Sequence, residues 1–229
     1  MLRKATWLPR NFTLFNQNTR IQSVLNRIWT VYLQEFPKKK VMNNKYLFQL
    51  AQQILISSEK GLSKVRFAKI IYFVQKGLVQ SDVSQKDALG FIRMPLGPVP
   101  FGFQEMTNLP NIAVKIEPNS LTYNAEVYSV KNKNEVATDN METIDALFRR
   151  LQSFRTSDLV EYGHKEPSWL HNKNGTHYFL ADDDLSIDLP TKSKSNDVDE
   201  KQLLQAQLLN GMLTDIVDES TALEYPTEK

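Results

Sequence analysis

The chain has no cysteine in its 229 residues. That one absence excludes disulfides, thiolate metal centres and cysteine nucleophiles together, and it leaves stability to packing. Long apolar runs are missing as well. No stretch reaches the ~20 residues needed to span a bilayer, and the N-terminus lacks the ~7–15 apolar residues of a signal peptide, so a cytoplasmic, non-membrane protein is expected. Excess charge of one sign is also lacking: 28 Lys and Arg stand against 26 Asp and Glu, a net charge of +2. Bulk electrostatics therefore give no reason to expect a nucleic-acid partner. Only Lys38-Lys39-Lys40 makes a basic cluster, and a short charge run of this kind is normally a solvated loop. Neither a phosphate-cradling Gly-rich loop nor a Gly-x-Gly-x-x-Gly fingerprint occurs, so no nucleotide or other cofactor is expected.

What is present is a globular composition, 41% hydrophobic and 24% charged, enough to build a core. Ile21, Val24, Leu25, Ile28, Tyr32 and Phe36 recur at helical spacing before Pro37. Asn44 can cap a second helix with Leu47, Leu50, Ala51, Ile54 and Leu55 on one face, and Gly61 supplies its stop. From Val65 to about Lys76, ahead of Gly77, a third helix is apolar on nearly all sides, which puts it in the middle of the fold. Val65, Ala68, Ile71 and Tyr72, with Leu147 and Leu151 from a later helix, are the expected core.

Phe91-Ile92-Arg93-Met94 reads as a short extended piece. The following Pro95-Leu96-Gly97-Pro98-Val99-Pro100 has too much proline for a sheet interior, so Pro98 is expected in the first turn of a helix running through Phe103 to Met106. Residues 112–130 alternate with period two and predict a β-hairpin. Helices return around Ile144 to Phe154 and from Thr156 to about Tyr162. Asn174-Gly175 marks a turn, Pro190 to Asp199 reads as a polar linker, and Leu203, Leu204, Leu208, Met212 and Ile216 form a last amphipathic helix. The expected fold is mainly α: a compact helical domain with one small antiparallel sheet or hairpin, plus N-terminal and C-terminal helical extensions. Its expected boundaries are an extension over 1–43, a core over 44–189, and a linker with helix over 190–229.

His164, Glu166 and Trp169 are the most enzyme-like cluster, because a carboxylate beside an imidazole is how general bases are oriented. No nucleophile accompanies them, neither a cysteine nor a Gly-x-Ser-x-Gly elbow, and a structural histidine is the plainer reading. A metal site drawn from His164, His171, His177 and Asp182-Asp183-Asp184 has no ligand spacing of a known loop. Ile187 and Ser193 stand where an EF-hand needs glycine and glutamate, so a solvated acidic turn is expected and no metal.

One succession of motifs is more specific. Leu62-Ser63-Lys64-Val65-Arg66-Phe67-Ala68-Lys69-Ile70-Ile71-Tyr72-Phe73-Val74-Gln75 is followed by Leu96-Gly97-Pro98-Val99-Pro100, then by a hairpin and a helix containing Ile144-Asp145-Ala146-Leu147, and then by Thr156-Ser157-Asp158-Leu159-Val160-Glu161-Tyr162-Gly163-His164-Lys165-Glu166-Pro167-Ser168-Trp169. This order over residues 44 to 180 resembles the Panacea domain, the SocA-like antitoxin family associated with phages, whose members share a Leu-x-Lys-Leu-Leu-Tyr-Phe helix, a Tyr-Gly-Pro-Val turn and a Ser/Thr-His-x-Glu-x-Pro-Trp segment. Leu96, Gly163 and Ser168 depart from that pattern. The resemblance implies a non-enzymatic protein that binds and silences a cognate toxin, with a protease as a further partner for some members. It also implies partner binding around Gly97, Pro98, Val99, His164, Glu166 and Trp169. The rival readings are a phage-associated DNA-binding regulator using Lys38 to Lys40 and, least favoured, a His/Glu hydrolase.

Overall fold

The computed structural model describes residues 44–119, 123–191, 202–210 and 212. The expected helix over 19–36, the Lys38-Lys39-Lys40 cluster, most of the linker and the end of the last helix lie outside them.

Helix α1, Lys45–Ser57, buries the face its spacing predicts: Leu47, Leu50, Ala51, Ile54 and Leu55. Gln53 is buried with them, and its Nε2 donates to the carbonyls of Ala137 (2.9 Å) and Asp139 (2.7 Å), which satisfies the amide group. Helix α2, Lys64–Gln80, is the centre of the core. Phe67, Ile70, Ile71, Tyr72, Phe73 and Val74 are completely buried. Of the other expected core residues, Ala68 and Leu151 are buried, while Val65 and Leu147 are half-buried. The helix does not stop at Gly77. A Cβ there would lie 2.6 Å from Leu147 Cδ2, so the glycine serves close approach of helix α3, Met141–Gln152, rather than termination. Helices α4, Thr156–Gly163, and α5, Pro167–His171, follow, with a single turn α6 at Asp182–Leu185.

The mainly helical expectation fails. The described residues form two three-stranded antiparallel sheets beside the helices, so the fold is mixed α and β. One sheet contains the expected hairpin, β4 (Ile112–Asn119) and β5 (Tyr123–Val130), extended by the two-residue strand β1 (Leu62–Ser63) in the order β1-β5-β4. Phe67 of α2 reaches this sheet through the Tyr128 ring, 5.5 Å away, and the Phe103 ring outside the sheet lies at the same distance.

The second sheet is the unexpected one. It joins β2 (Phe91–Met94), β3 (Gly97–Pro100) and β6 (His177–Tyr178) in the order β3-β2-β6. Pro98 therefore lies in a strand and not in a helix. The 3₁₀ turn at Phe103–Asn108 is entered from Gly102 instead. Proline is tolerated because, among the described residues, β3 is an edge strand paired on one side only. Phe101 N–H donates to Gly90 O at 2.9 Å, and Ile92 faces Val99, so the donors of 97, 99 and 101 turn toward β2. The nitrogens of Pro98 and Pro100 fall on the outer edge, where no ladder bond is lost.

Candidate functional site

The β2–β3 hairpin, α2 and the His164–Trp169 segment meet in one buried polar cluster. Its base is a stripe on α2. Lys69, Tyr72 and Lys76 stand at i, i+3 and i+7, hence on one helix face, and all three are inaccessible to solvent or nearly so. Lys76 Nζ donates to both carboxylate oxygens of Glu166 at 2.8 Å, and Tyr72 Oη donates to Oε2 at 3.0 Å. Burial raises the Glu166 carboxyl above its ordinary range even though the Lys76 ammonium pulls the other way. Lys69 instead donates to the carbonyl of Pro98 at 2.5 Å, and burial holds its amine well below the usual lysine range.

Above the stripe, the hairpin is held by two rings. His164 Nε2 bonds the Pro95 carbonyl at 3.0 Å, which requires the proton on that nitrogen. Trp169 Nε1 donates to Met94 O at 3.0 Å. The two rings stack at 4.2 Å, and the Arg93 guanidinium lies 4.2 Å from the indole centroid. Arg93, also buried, donates from Nε to Trp169 O at 3.1 Å and from Nη1 to Asn174 Oδ1. Burial, reinforced by the Lys69 ammonium, depresses the His164 pKa to about 4, so the imidazole is neutral at ordinary pH.

Close approach makes this assembly possible. Gly97 has φ 91°, and a Cβ on it would sit 3.2 Å from Lys69 Nζ. A Cβ at Gly163 would come 3.0 Å from Pro98 Cδ, which accounts for glycine at that position. Ser168, another departure from the family pattern, has a defined partner. Its N–H and Oγ donate to the two oxygens of Asp184 at 2.8 and 2.5 Å, and Ala181 N–H adds a third bond at 2.8 Å. Asp184 is fully buried, so the expected solvated acidic turn is corrected: Asp182 and Asp183 are exposed, and the third aspartate clamps α5.

The six expected binding residues thus come together, but most of them face inward. Gly97, Pro98, Val99, Glu166 and Trp169 are buried and His164 is half-buried. Lys165 and Leu170 adjoin them and are exposed, and Leu170 is the large apolar one, with 56% of its surface accessible. Lys69, Lys76, Arg93 and Asp184 were missed from sequence. Two lysines seven residues apart in an otherwise apolar helix were the available signal. Among the described residues no three His, Asp or Glu side chains gather as a metal-ligand set, and no helix is long and apolar enough to cross a membrane.

Residues 67–170 match the family model described as antitoxin SocA-like, Panacea domain. Over that span the chain is similar to the Panacea domain. The matched span contains the α2 stripe, the β2–β3 hairpin and the His164–Trp169 segment, so the buried cluster is built entirely from matched residues except for Asn174 and the Asp184 clamp. No curated protein and no solved structure matches the chain.

Proposed function

We propose that this protein is a non-enzymatic antitoxin that neutralises a cognate toxin by stoichiometric binding. Support comes from one observation above all: the groups best suited to chemistry are already engaged with one another. His164 gives its Nε2 proton to a carbonyl, and both oxygens of Glu166 are occupied by Lys76 and Tyr72. In this reading the cluster is a brace. It fixes the Pro95–Leu96 turn and α5 so that exposed neighbours, Leu170 foremost, meet the partner. Gly97, Pro98, Val99, Glu166, His164 and Trp169 then act by positioning.

The test is co-expression with the product of the neighbouring reading frame, scored by growth and by the mass of the purified complex. A fixed-ratio complex is expected. Leu170→Arg, folded by circular dichroism, should lower neutralisation at least ~30-fold, the equivalent of ~2 kcal/mol at an interface anchor. Full protection by sub-stoichiometric protein, with the toxin left unbound, would instead require catalysis.

A further inference from the structure

The other sheet offers a different surface. Among the described residues, strand β4 is at its edge, with β5 on one side only. Lys131 N–H donates to Asn111 O at 2.9 Å, which starts the ladder. Alternation from that bond turns the odd-numbered residues of β4 toward β5 and leaves the N–H and C=O of Val114 and Ile116 facing outward. Ile116 is 68% exposed, the most accessible large hydrophobic side chain among the described residues, and it is flanked by exposed Lys115 and Glu117. An unpaired edge of this kind is a template for another strand.

The pattern around Ile116 is self-complementary. We propose that β4 pairs antiparallel with β4 of a second copy of this chain, centred on Ile116, to form a two-fold dimer. About that centre, Ile116 of each copy exchanges two backbone bonds with its counterpart. Lys115 then lies opposite Glu117 of the second copy, and Glu117 opposite its Lys115, so both cross-strand charge pairs are attractive. Val114 N–H meets the Pro118 carbonyl on each side. Pro118 has no N–H to return, which keeps the ladder short. Because the same patch serves both copies, the contact closes on itself and does not propagate. None of this depends on what the buried cluster binds.

Sedimentation equilibrium on the full chain tests the pairing. The parent should dimerise with rising concentration. Lys115→Glu and Glu117→Lys should each weaken self-association about tenfold, since each sets two like-charged pairs across the seam, and the double reversal should restore it. Ile116→Lys should abolish the dimer. As the chain has no cysteine, Ile116→Cys gives a clean second measurement. Paired Cα atoms ~5.5 Å apart permit a disulfide, so mild oxidation should link the copies much faster than it links a Val83→Cys control. A parent that stays monomeric, a dimer indifferent to the single charge reversals, or crosslinking no faster than the control would overturn the proposal.

Discussion

Lys69 and Lys76 lie two turns apart on the same face of α2, both buried, yet they are held in opposite ways. Lys76 meets a carboxylate with two bonds of 2.8 Å and a tyrosine hydroxyl beside it. Lys69 meets a single carbonyl, that of Pro98, with His164 and the Gly97 backbone close by. Taking an ammonium out of water costs several kcal/mol, and only an opposite charge with good geometry offsets much of that. The Lys76 end is therefore a closed structural joint. The Lys69 end has a carbonyl where Lys76 has a carboxylate, directly under the hairpin, and burial accordingly holds its amine well below the usual lysine range.

The largest expected effect breaks the compensated end. Glu166→Ala leaves Lys76 buried without its counter-charge, and ~3–5 kcal/mol of stability should be lost, measured by chemical denaturation. A loss below ~1 kcal/mol would mean the pair is solvated in solution and the contrast between the two lysines is false.

Next in size is an acid effect at the Lys69 end. The His164 pKa is lowered from 6.5 in the unfolded chain to about 4 in the fold. The unfolded state therefore takes up a proton that the fold refuses, so the contribution is complete above the unfolded value and is lost as pH falls toward the folded one. The full shift corresponds to at most ~3 kcal/mol. Glu166 acts in the opposite sense, because its raised carboxyl favours the fold at low pH and that contribution is lost as pH rises through the folded pKa. Comparison with His164→Gln, which lacks the imidazole titration, isolates the histidine: the variant should lose less stability than the parent between pH 6.5 and 4. Parallel pH profiles for the two proteins would show that the imidazole titrates in the fold as it does in the unfolded chain.

The smallest effect has the reverse sign. Lys69→Met keeps the length of the side chain and removes the amine, at the expense of the Pro98 carbonyl's partner. A gain of ~1 kcal/mol in stability is expected, the balance of a lost desolvation cost and a lost hydrogen bond. If the binding reading is right, the stabilised variant should also protect less well against toxin, because the hairpin is no longer pinned. A stabilised variant with unchanged protection would leave Lys69 without a part in positioning.

Sequence periodicity alone sufficed for the elements whose signals are local. The apolar faces of α1 and α2, the 112–130 hairpin, the helix from Thr156 and the Asn174-Gly175 turn all rest on spacing or on residues a few positions apart. Motif order over the α2, hairpin and His164–Trp169 segments also sufficed to mark the similarity to the Panacea domain. Tertiary structure decided the rest. Strands of two residues, Leu62–Ser63 and His177–Tyr178, are too short to show alternation, and each is a strand only because a distant partner offers it backbone bonds. Gly97–Pro100 reads as a proline-rich corner until β2 supplies one side of a ladder and leaves the prolines the other. Whether Lys69, Lys76, Arg93, Glu166 and Asp184 would be solvated or buried was likewise invisible, since a charged side chain is buried only when folding brings its partners from elsewhere in the chain, and for Lys76 and Glu166 those partners lie ninety residues apart.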